Sequence, residues 1–348
     1  MKTYEYIFAA IIMVAILLAA VFLTSISAPL YRSTSDVEQL KMTAQKVMAQ
    51  ILLSPGKPED WGENITLRAS DLSSFGLAVS TVFTREAFVL DPDKVQRLSQ
   101  TLPKSLSILP ERILELLSLG SKKTGFEYGI RIEFIPALNI MMNLSLDRKV
   151  NVIVISEQGM PAKGAKVTVG AVFPFNNEVL LERAYGSTDE NGRCTLDLTF
   201  SSPALLIAAV DYYGVQGVAV KAVGANTNAY FIGSFLLSSS LISREEAYQI
   251  FLTKLPSGTI NVGCVRYELT YNNEEINGYY AYEMNGTEPH TVAVVAVADG
   301  GLIAAWKIVP ESFGPSAKEI PLAYMVERSV KIGFSSYTVR LWVWRMSW

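Results

Sequence analysis

The sequence predicts an α+β protein that is mostly β, with an N-terminal transmembrane and amphipathic helix, a small α+β head and then β-sandwich domains. Three observations predict this fold class. An unbroken apolar run stands near the start of the 348-residue chain. A stripe of apolar residues at helical spacing follows that run. Further along, short segments alternate between apolar and other residues and are separated by turn pairs such as Asn277-Gly278, which is typical of antiparallel strands.

The first element is an apolar helix. Ile7 to Leu23 is a run of 17 residues without a polar side chain, and no charge occurs between Glu5 and Arg32. About 20 such residues are needed to cross the hydrocarbon layer of a membrane, so the sequence predicts a single membrane span. Lys2 before the span predicts a cytoplasmic N-terminus and extracytoplasmic domains after Pro29. The residues predicted to form the anchor are Ile7, Phe8, Ile11, Ile12, Val14, Leu17, Leu18, Val21 and Leu23.

Two other interpretations of this run are weaker. A cleaved signal peptide has a shorter apolar region of about 7–15 residues, and Ser25-Ile26-Ser27 fits its cleavage site poorly. A buried helix of a globular core normally keeps a polar face, which this run lacks. We therefore expect a retained membrane anchor.

A second helical segment follows the anchor. Its apolar residues recur at spacings of three and four, which predicts one packed face. Ser35 to Glu38 matches a capping box, while Pro29 either kinks one long helix or separates two. Such a stripe can pack between protomers or on the domain that follows it. The residues with a predicted role in assembly are Glu5, Val37, Leu40, Ala44, Val47 and Ile51.

The remaining chain divides into three units. We place the helical region at residues 1–53, an α+β head at 54–147, a β-sandwich at 148–224 and a β-rich C-terminal domain at 225–348. Two short helices are expected in the head, one capped by Asp91-Pro92 and one starting at Pro110. Alternating residues at 126–134 and 140–146 predict a hairpin, and Ser243 to Glu246 predicts a short helix by its capping-box pattern.

Composition excludes several classes of function. With 30 Lys and Arg against 33 Asp and Glu, the net charge of −3 offers no basic surface for nucleic acid. One His and two Cys are too few for a transition-metal site, so no metal and no cofactor are expected. A nucleophilic triad would need His290, which lies in a turn where a solvated side chain is expected. Asp189 to Gly192 begins like a calcium loop but lacks the later Glu, so it predicts a plain turn. The chain is therefore expected not to be an enzyme, although paired carboxylates from distant segments stay open.

The cysteines and the Asn-X-Ser/Thr motifs indicate an extracellular setting. Cys194 alternates with core residues, and Cys264 lies in a later strand. They are either a disulfide, which an oxidising compartment would permit, or two buried thiols. Candidate glycosylation sites occur at Asn64, Asn143 and Asn285.

Two parts of the sequence resemble known families. The N-terminal helix with Glu5 before its apolar run, Pro55 to Gly62 (PGKPEDWG) and Leu90 to Leu98 (LDPDKVQRL) resemble archaeal type IV pilin-like surface proteins. Residues 150–223, with Ala162 to Val167 and Thr188 to Arg193, resemble immunoglobulin-like or carboxypeptidase-regulatory-like modules, which are usually spacers or adhesive units. The first resemblance implies that Glu5 pairs with a neighbouring protomer's N-terminal amine within a filament.

Together these features predict a structural, non-enzymatic subunit of a cell-surface filament or anchored surface assembly. Its expected partners are the membrane, further copies of itself through the N-terminal helix, and surface proteins or glycans. The alternative is a membrane-tethered adhesin, or an accessory binding domain of a transport or secretion complex.

Overall fold

The computed structural model describes residues 2–80, 87–121, 123, 125–145, 149–176, 178–242, 245–276, 278–298, 301–316 and 323–346. Side chains are described for all of these except residues 2–11, 22–36 and 272–274. Within this range the protein is mostly β with several sheets, as the sequence predicted.

The N-terminal helix is continuous. Helix α1 (Lys2–Leu53) has 52 residues and is therefore about 78 Å long at 1.5 Å per residue. The capping box predicted at residues 35–38 lies inside this helix and starts no new one. Two short helices follow, α2 (Pro92–Gln96) and α3 (Pro110–Leu116). Both begin at the predicted proline, but α2 ends before Leu98, earlier than the sequence indicated.

Twenty-one strands follow in chain order. The first four are β1 (Val89–Leu90), β2 (Gly120–Ser121), β3 (Gly125–Phe126) and β4 (Tyr128–Pro136). The next seven are β5 (Leu138–Leu144), β6 (Lys149–Ser156), β7 (Lys166–Phe175), β8 (Glu178–Ser187), β9 (Arg193–Asp197), β10 (Ala204–Tyr212) and β11 (Val215–Val223). The last ten are β12 (Ala229–Ile232), β13 (Phe235–Ser238), β14 (Glu246–Lys254), β15 (Ile260–Ile276), β16 (Tyr279–Met284), β17 (Thr291–Ala298), β18 (Gly301–Trp306), β19 (Ser312–Phe313), β20 (Ala323–Ile332) and β21 (Ser335–Arg345).

The head combines the end of α1 with a five-stranded sheet of order β1-β20-β21-β4-β19. Strand β21 lies between β20 and β4 and is antiparallel to both. Ala44, Val47 and Ile51 of α1 are buried in one core with Ile132 of β4 and Leu341 of β21. The head is thus assembled from both ends of the chain.

This arrangement corrects two expectations from the sequence. The last strands do not belong to a separate C-terminal domain at 225–348, because β20 and β21 complete the head sheet. The predicted hairpin at 126–146 is also wrong. Strand β4 pairs with β21 and β19, whereas β5 pairs with β6, and only Ala137 separates β4 from β5. Alternation identified both strands but carried no information about their partners.

Residues 138–223 form the unit that we call the inserted sandwich. A sheet of order β5-β6-β9 and a sheet of order β11-β10-β7-β8 enclose one apolar core. Because β5 pairs with β6, this unit begins before the predicted boundary at residue 148. The turn at Asp189 is a plain one: its Oδ1 accepts hydrogen bonds from the backbone N–H of Asn191 and Arg193, each at 2.8 Å.

The third unit is a seven-stranded sheet of order β12-β13-β16-β15-β14-β17-β18. Glu246 begins strand β14, so the helix predicted after Ser243 is wrong. Val172, Leu205 and Ile207 of the sandwich are buried against Ile250 and Val262 of this sheet. The four-stranded sheet is therefore covered on both faces, and the sandwich and the seven-stranded sheet share a continuous apolar contact.

Candidate functional site

The first half of α1 extends away from the core. All of residues 12–21 have exposed side chains. Among the predicted anchor residues, Ile12 is 47 % exposed and Leu18 is 66 % exposed. This exposure excludes a core-helix role for these ten residues. The other exposed members of the predicted anchor are Val14, Leu17 and Val21, while the side chains of Ile7, Phe8, Ile11 and Leu23 lie outside the described set.

A search of the described residues for helices long and apolar enough to cross a membrane found no such helix.

The predicted assembly stripe is divided by the structure. Ala44, Val47 and Ile51 are buried in the head, so they cannot contact another protomer while the head is folded. Leu40 packs at the edge of the same core, and Val37 remains 49 % exposed. The Glu5 side chain lies outside the described set. Packing on its own head, the alternative weighed from the sequence, accounts for the second half of the stripe.

A network of buried charged side chains surrounds α2. Asp91 caps this helix by accepting a hydrogen bond from the Asp93 N–H at 2.8 Å. Lys94 donates to the carbonyl oxygens of Pro55 and Ala78, each at 2.9 Å. Arg97 donates to three backbone carbonyls of the head, including that of Leu106 at 2.9 Å. These cations satisfy backbone groups of the loops on either side of the 3₁₀ turn Ala69–Asp71 and so hold the head loops together.

Asp93 joins the head to the seven-stranded sheet. Its Oδ1 accepts hydrogen bonds from Gln96 Nε2 at 2.8 Å and from the Gly233 N–H at 2.9 Å. It also pairs with Lys307 Nζ, and both side chains are nearly buried. Lys307 Nζ lies 3.8 Å from the ring centroid of Phe231. A carboxylate of the head, an ammonium and an aromatic ring thus meet at one boundary.

A cleft of about 930 Å³ opens beside this pair, where the three units meet. The head contributes Asp60, Glu63 and Asp93 to its wall, and strand β11 contributes Val218 and Val220. Its volume lies in the range of about 300–1,000 Å³ that is usual for small-ligand sites. The aromatic residues in the wall are Phe231, Phe235, Trp306, Phe334 and Tyr337.

The cleft is electrically negative. Its wall carries Asp60, Glu63, Asp93 and Glu288, against Lys307 as the single Lys or Arg among the described lining residues. Partial burial raises the pKa of Glu63, and the charge of Asp93 raises it further, while Lys307 and Lys94 oppose the shift. Burial also raises the pKa of Tyr337 to about 12, so its phenol stays neutral.

Asp91, behind the cleft wall, has the largest shift among the carboxyl groups of the network. Burial and the neighbouring charge of Asp93 raise its pKa to about 6, although Lys94 lies 3.8 Å away and opposes the shift. Raised carboxyl pKa values are common at catalytic sites and in structural charge networks alike. Here Asp91 caps a helix, and the described residues contain no buried side-chain nitrogen or oxygen without a hydrogen bond. The network is therefore fully satisfied by the protein itself.

The two cysteines are free thiols in the structure. Cys194 is buried on β9 of the sandwich, and Cys264 lies on β15 of the seven-stranded sheet, so the disulfide alternative is not the one observed. Burial raises the pKa of both thiols, to about 11 for Cys264. Neither is a reactive thiolate at neutral pH.

His290 and the glycosylation motifs lie at the surface. His290 is exposed in the turn before β17, with a backbone φ of +59°, and its ring lies 5.7 Å from that of Phe334 at the rim of the cleft. Asn285 is exposed in a turn, and Asn143 is exposed on strand β5 at the edge of its sheet. Asn64 is partly exposed, and its Oδ1 accepts hydrogen bonds from Thr66.

The sequence analysis did not identify the cleft. Asp91 was recognised only as a helix cap, and Glu63, Asp93 and Lys307 were not singled out. Asp93 and Lys307 are 214 positions apart. The only signal was the concentration of charges in Asp91 to Arg97 next to apolar residues, which a solvated helix face would equally show.

Comparison with known proteins gives no family assignment: neither the protein-family models nor the curated proteins contain a significant match to this chain.

Proposed function

We propose that this protein is a structural, pilin-like subunit of the cell surface. The apolar first half of α1 anchors it in the membrane or in the helical core of a filament. The head, the sandwich and the seven-stranded sheet face outward from the cell. The protein has no catalytic role.

One observation carries the proposal. Helix α1 is continuous, its end is built into the head core at Ala44, Val47 and Ile51, and residues 12–21 present apolar side chains with no cover from the described residues. Fully burying one large aliphatic side chain is worth about 1.5–3 kcal/mol, so such a surface favours burial in lipid or between helices. The apolar run from Ile7 to Leu23 is long enough for either environment.

The burial of the second half of the stripe narrows the proposed assembly surface. Contacts between protomers would involve the first half of α1 and exposed positions such as Val37 and Met42, which are 49 % and 68 % exposed. The same rigid connection between helix and head would hold each head at a fixed distance from its anchor.

Cysteine cross-linking in the native membrane tests this assembly. A single cysteine at Leu18 or Met42 is expected to give disulfide-linked dimers on mild oxidation, because these side chains are exposed on the proposed contact surface. Tyr213→Cys is the matched control, since Tyr213 is 90 % exposed at the far turn of the sandwich. The native thiols give little background because both have raised pKa values.

Cross-links at Leu18 and Met42 but not at Tyr213, together with fibres in electron micrographs of sheared cells, are the expected outcome. Membrane-bound monomers without cross-links at either helix position would overturn the filament. Protein released fully by a salt wash would overturn the anchor.

A tethered binding domain is the second candidate function. The observation that favours it is the cleft between the three units, because a purely structural subunit does not require a lined cavity of this size. Anchored monomers with an intact cleft would support this candidate over the filament.

A further inference from the structure

The cleft has the dimensions and the wall of a ligand site. It has a volume of about 930 Å³, and its wall is built from three units that the chain brings together from distant segments. Pockets of this kind at unit boundaries, largely apolar with a few polar groups, are where proteins usually bind small ligands. Trp306, Phe235 and Tyr337 are only partly buried and so expose ring surface to an occupant.

The charge of the wall selects the sign of the ligand. Lys307 is paired with Asp93, so its charge is neutralised locally. Asp60, Glu63 and Glu288 then leave a net negative wall. The Glu288 carboxylate accepts a hydrogen bond from Tyr267 at 2.9 Å, whereas none of the described residues donates a hydrogen bond to the carboxylate of Glu63. A cleft with one sign of charge and apolar walls concentrates ligands of the opposite sign.

The protein already binds one ammonium group in this way. Lys307 Nζ lies over the ring of Phe231, at 3.8 Å from its centroid, and contacts the Asp93 carboxylate. An ammonium over an aromatic face gains about 0.5–2 kcal/mol, more as water is excluded. The open part of the cleft offers the same two features, aromatic rings and free carboxylate, without a cation of the protein to fill them.

We propose that this cleft is a binding site for a small organic cation, an ammonium group carried on an aromatic or aliphatic body. The body lies against Trp306, Phe235 and Tyr337, and the ammonium is directed toward Glu63. Anions are repelled by the same wall. This site is independent of whether the protein anchors or assembles, because it lies wholly in the three outer units.

A charge series on one molecular body tests the site. The probes are 2-phenylethylammonium, 2-phenylethanol and phenylacetate, which keep the ring and change the charge from +1 to 0 to −1. Each is titrated into the full chain in a non-ionic detergent and followed by calorimetry, with protein-free micelles as the blank. We expect the ammonium to bind at least about tenfold more tightly than the alcohol, and phenylacetate not to bind.

Equal affinity of the ammonium and the alcohol would overturn the proposal, because it would show that only the apolar wall contributes. Failure of the ammonium to bind at millimolar concentration would also overturn it. Tighter binding of phenylacetate would reverse the proposed sign of the site.

A variant assigns the binding to Glu63. Glu63→Gln keeps the size of an exposed side chain and removes its charge, so folding is expected to be retained. The ammonium affinity should fall at least about fivefold while the affinity of the alcohol stays unchanged. Glu268→Gln is the matched control, since Glu268 is exposed on β15 outside the cleft and its loss should change neither affinity. Equal effects of the two substitutions would place the cation elsewhere.

Discussion

At the scale of single residues, burial decides what the charges of this protein do. The Asp93–Lys307 pair has side chains that are 11 % and 12 % exposed, and it joins the head to the seven-stranded sheet. The Lys163–Glu190 pair has side chains that are 66 % and 81 % exposed and lies on the surface of the sandwich. A buried charge that loses its partner is costly, whereas an exposed one is stabilised by water.

Lys307→Ala is therefore expected to lower the free energy of unfolding by about 3 kcal/mol, because it leaves Asp93 buried with only two neutral donors. Lys163→Ala should change it by less than about 1 kcal/mol. Urea titration followed by circular dichroism measures both. A similar small effect of the two substitutions would show that the Asp93–Lys307 pair is solvated.

At the scale of elements, α1 has two halves with opposite surroundings. Ile51 is 1 % exposed in the head core, while Met42 of the same helix is 68 % exposed. Strand identity was well predicted by alternation, and α2 and α3 by their prolines. Strand partners were not, because β4 and β5 alternate alike and yet join different sheets. The continuity of α1 through Pro29 was left open by the sequence, since proline permits both outcomes.

Ile51→Ala is expected to destabilise the head by about 2–5 kcal/mol through the cavity that it creates. Met42→Ala removes a solvated side chain and should change the stability by less than about 0.5 kcal/mol. Thermal unfolding of the two variants measures the difference. Equal melting temperatures would contradict the packing of α1 on β20 and β21.

At the scale of the whole molecule, the head is interrupted by the other two units. Its sheet contains β4 from before the sandwich and β20 and β21 from the end of the chain. The sequence indicated a series of domains along the chain, because each segment was assigned to its neighbours in sequence. Pairing between residues such as Arg131 and Trp342 has no local signal. The cleft escaped prediction for the same reason, since it exists only where three units meet.

Removal of residues 323–348 is expected to unfold the head, because β21 is the strand that joins β20 to β4. Limited proteolysis with mass spectrometry should then show cleavage within residues 54–136, while residues 138–307 stay resistant through their shared core. A chain shortened only by residues 347–348, after β21, is the control and should resist cleavage throughout. A resistant head in the longer deletion would contradict this topology.

The position of β20 and β21 also determines when the head can fold. A ribosome makes α1 first and the two strands that cover its apolar face last. The face with Ala44, Val47 and Ile51 therefore waits, uncovered, while the sandwich and the seven-stranded sheet are synthesised. A product of a premature stop codon would keep that face exposed, and cellular proteases and chaperones recognise such surfaces. The topology thus makes head folding a check that translation has reached the end of β21.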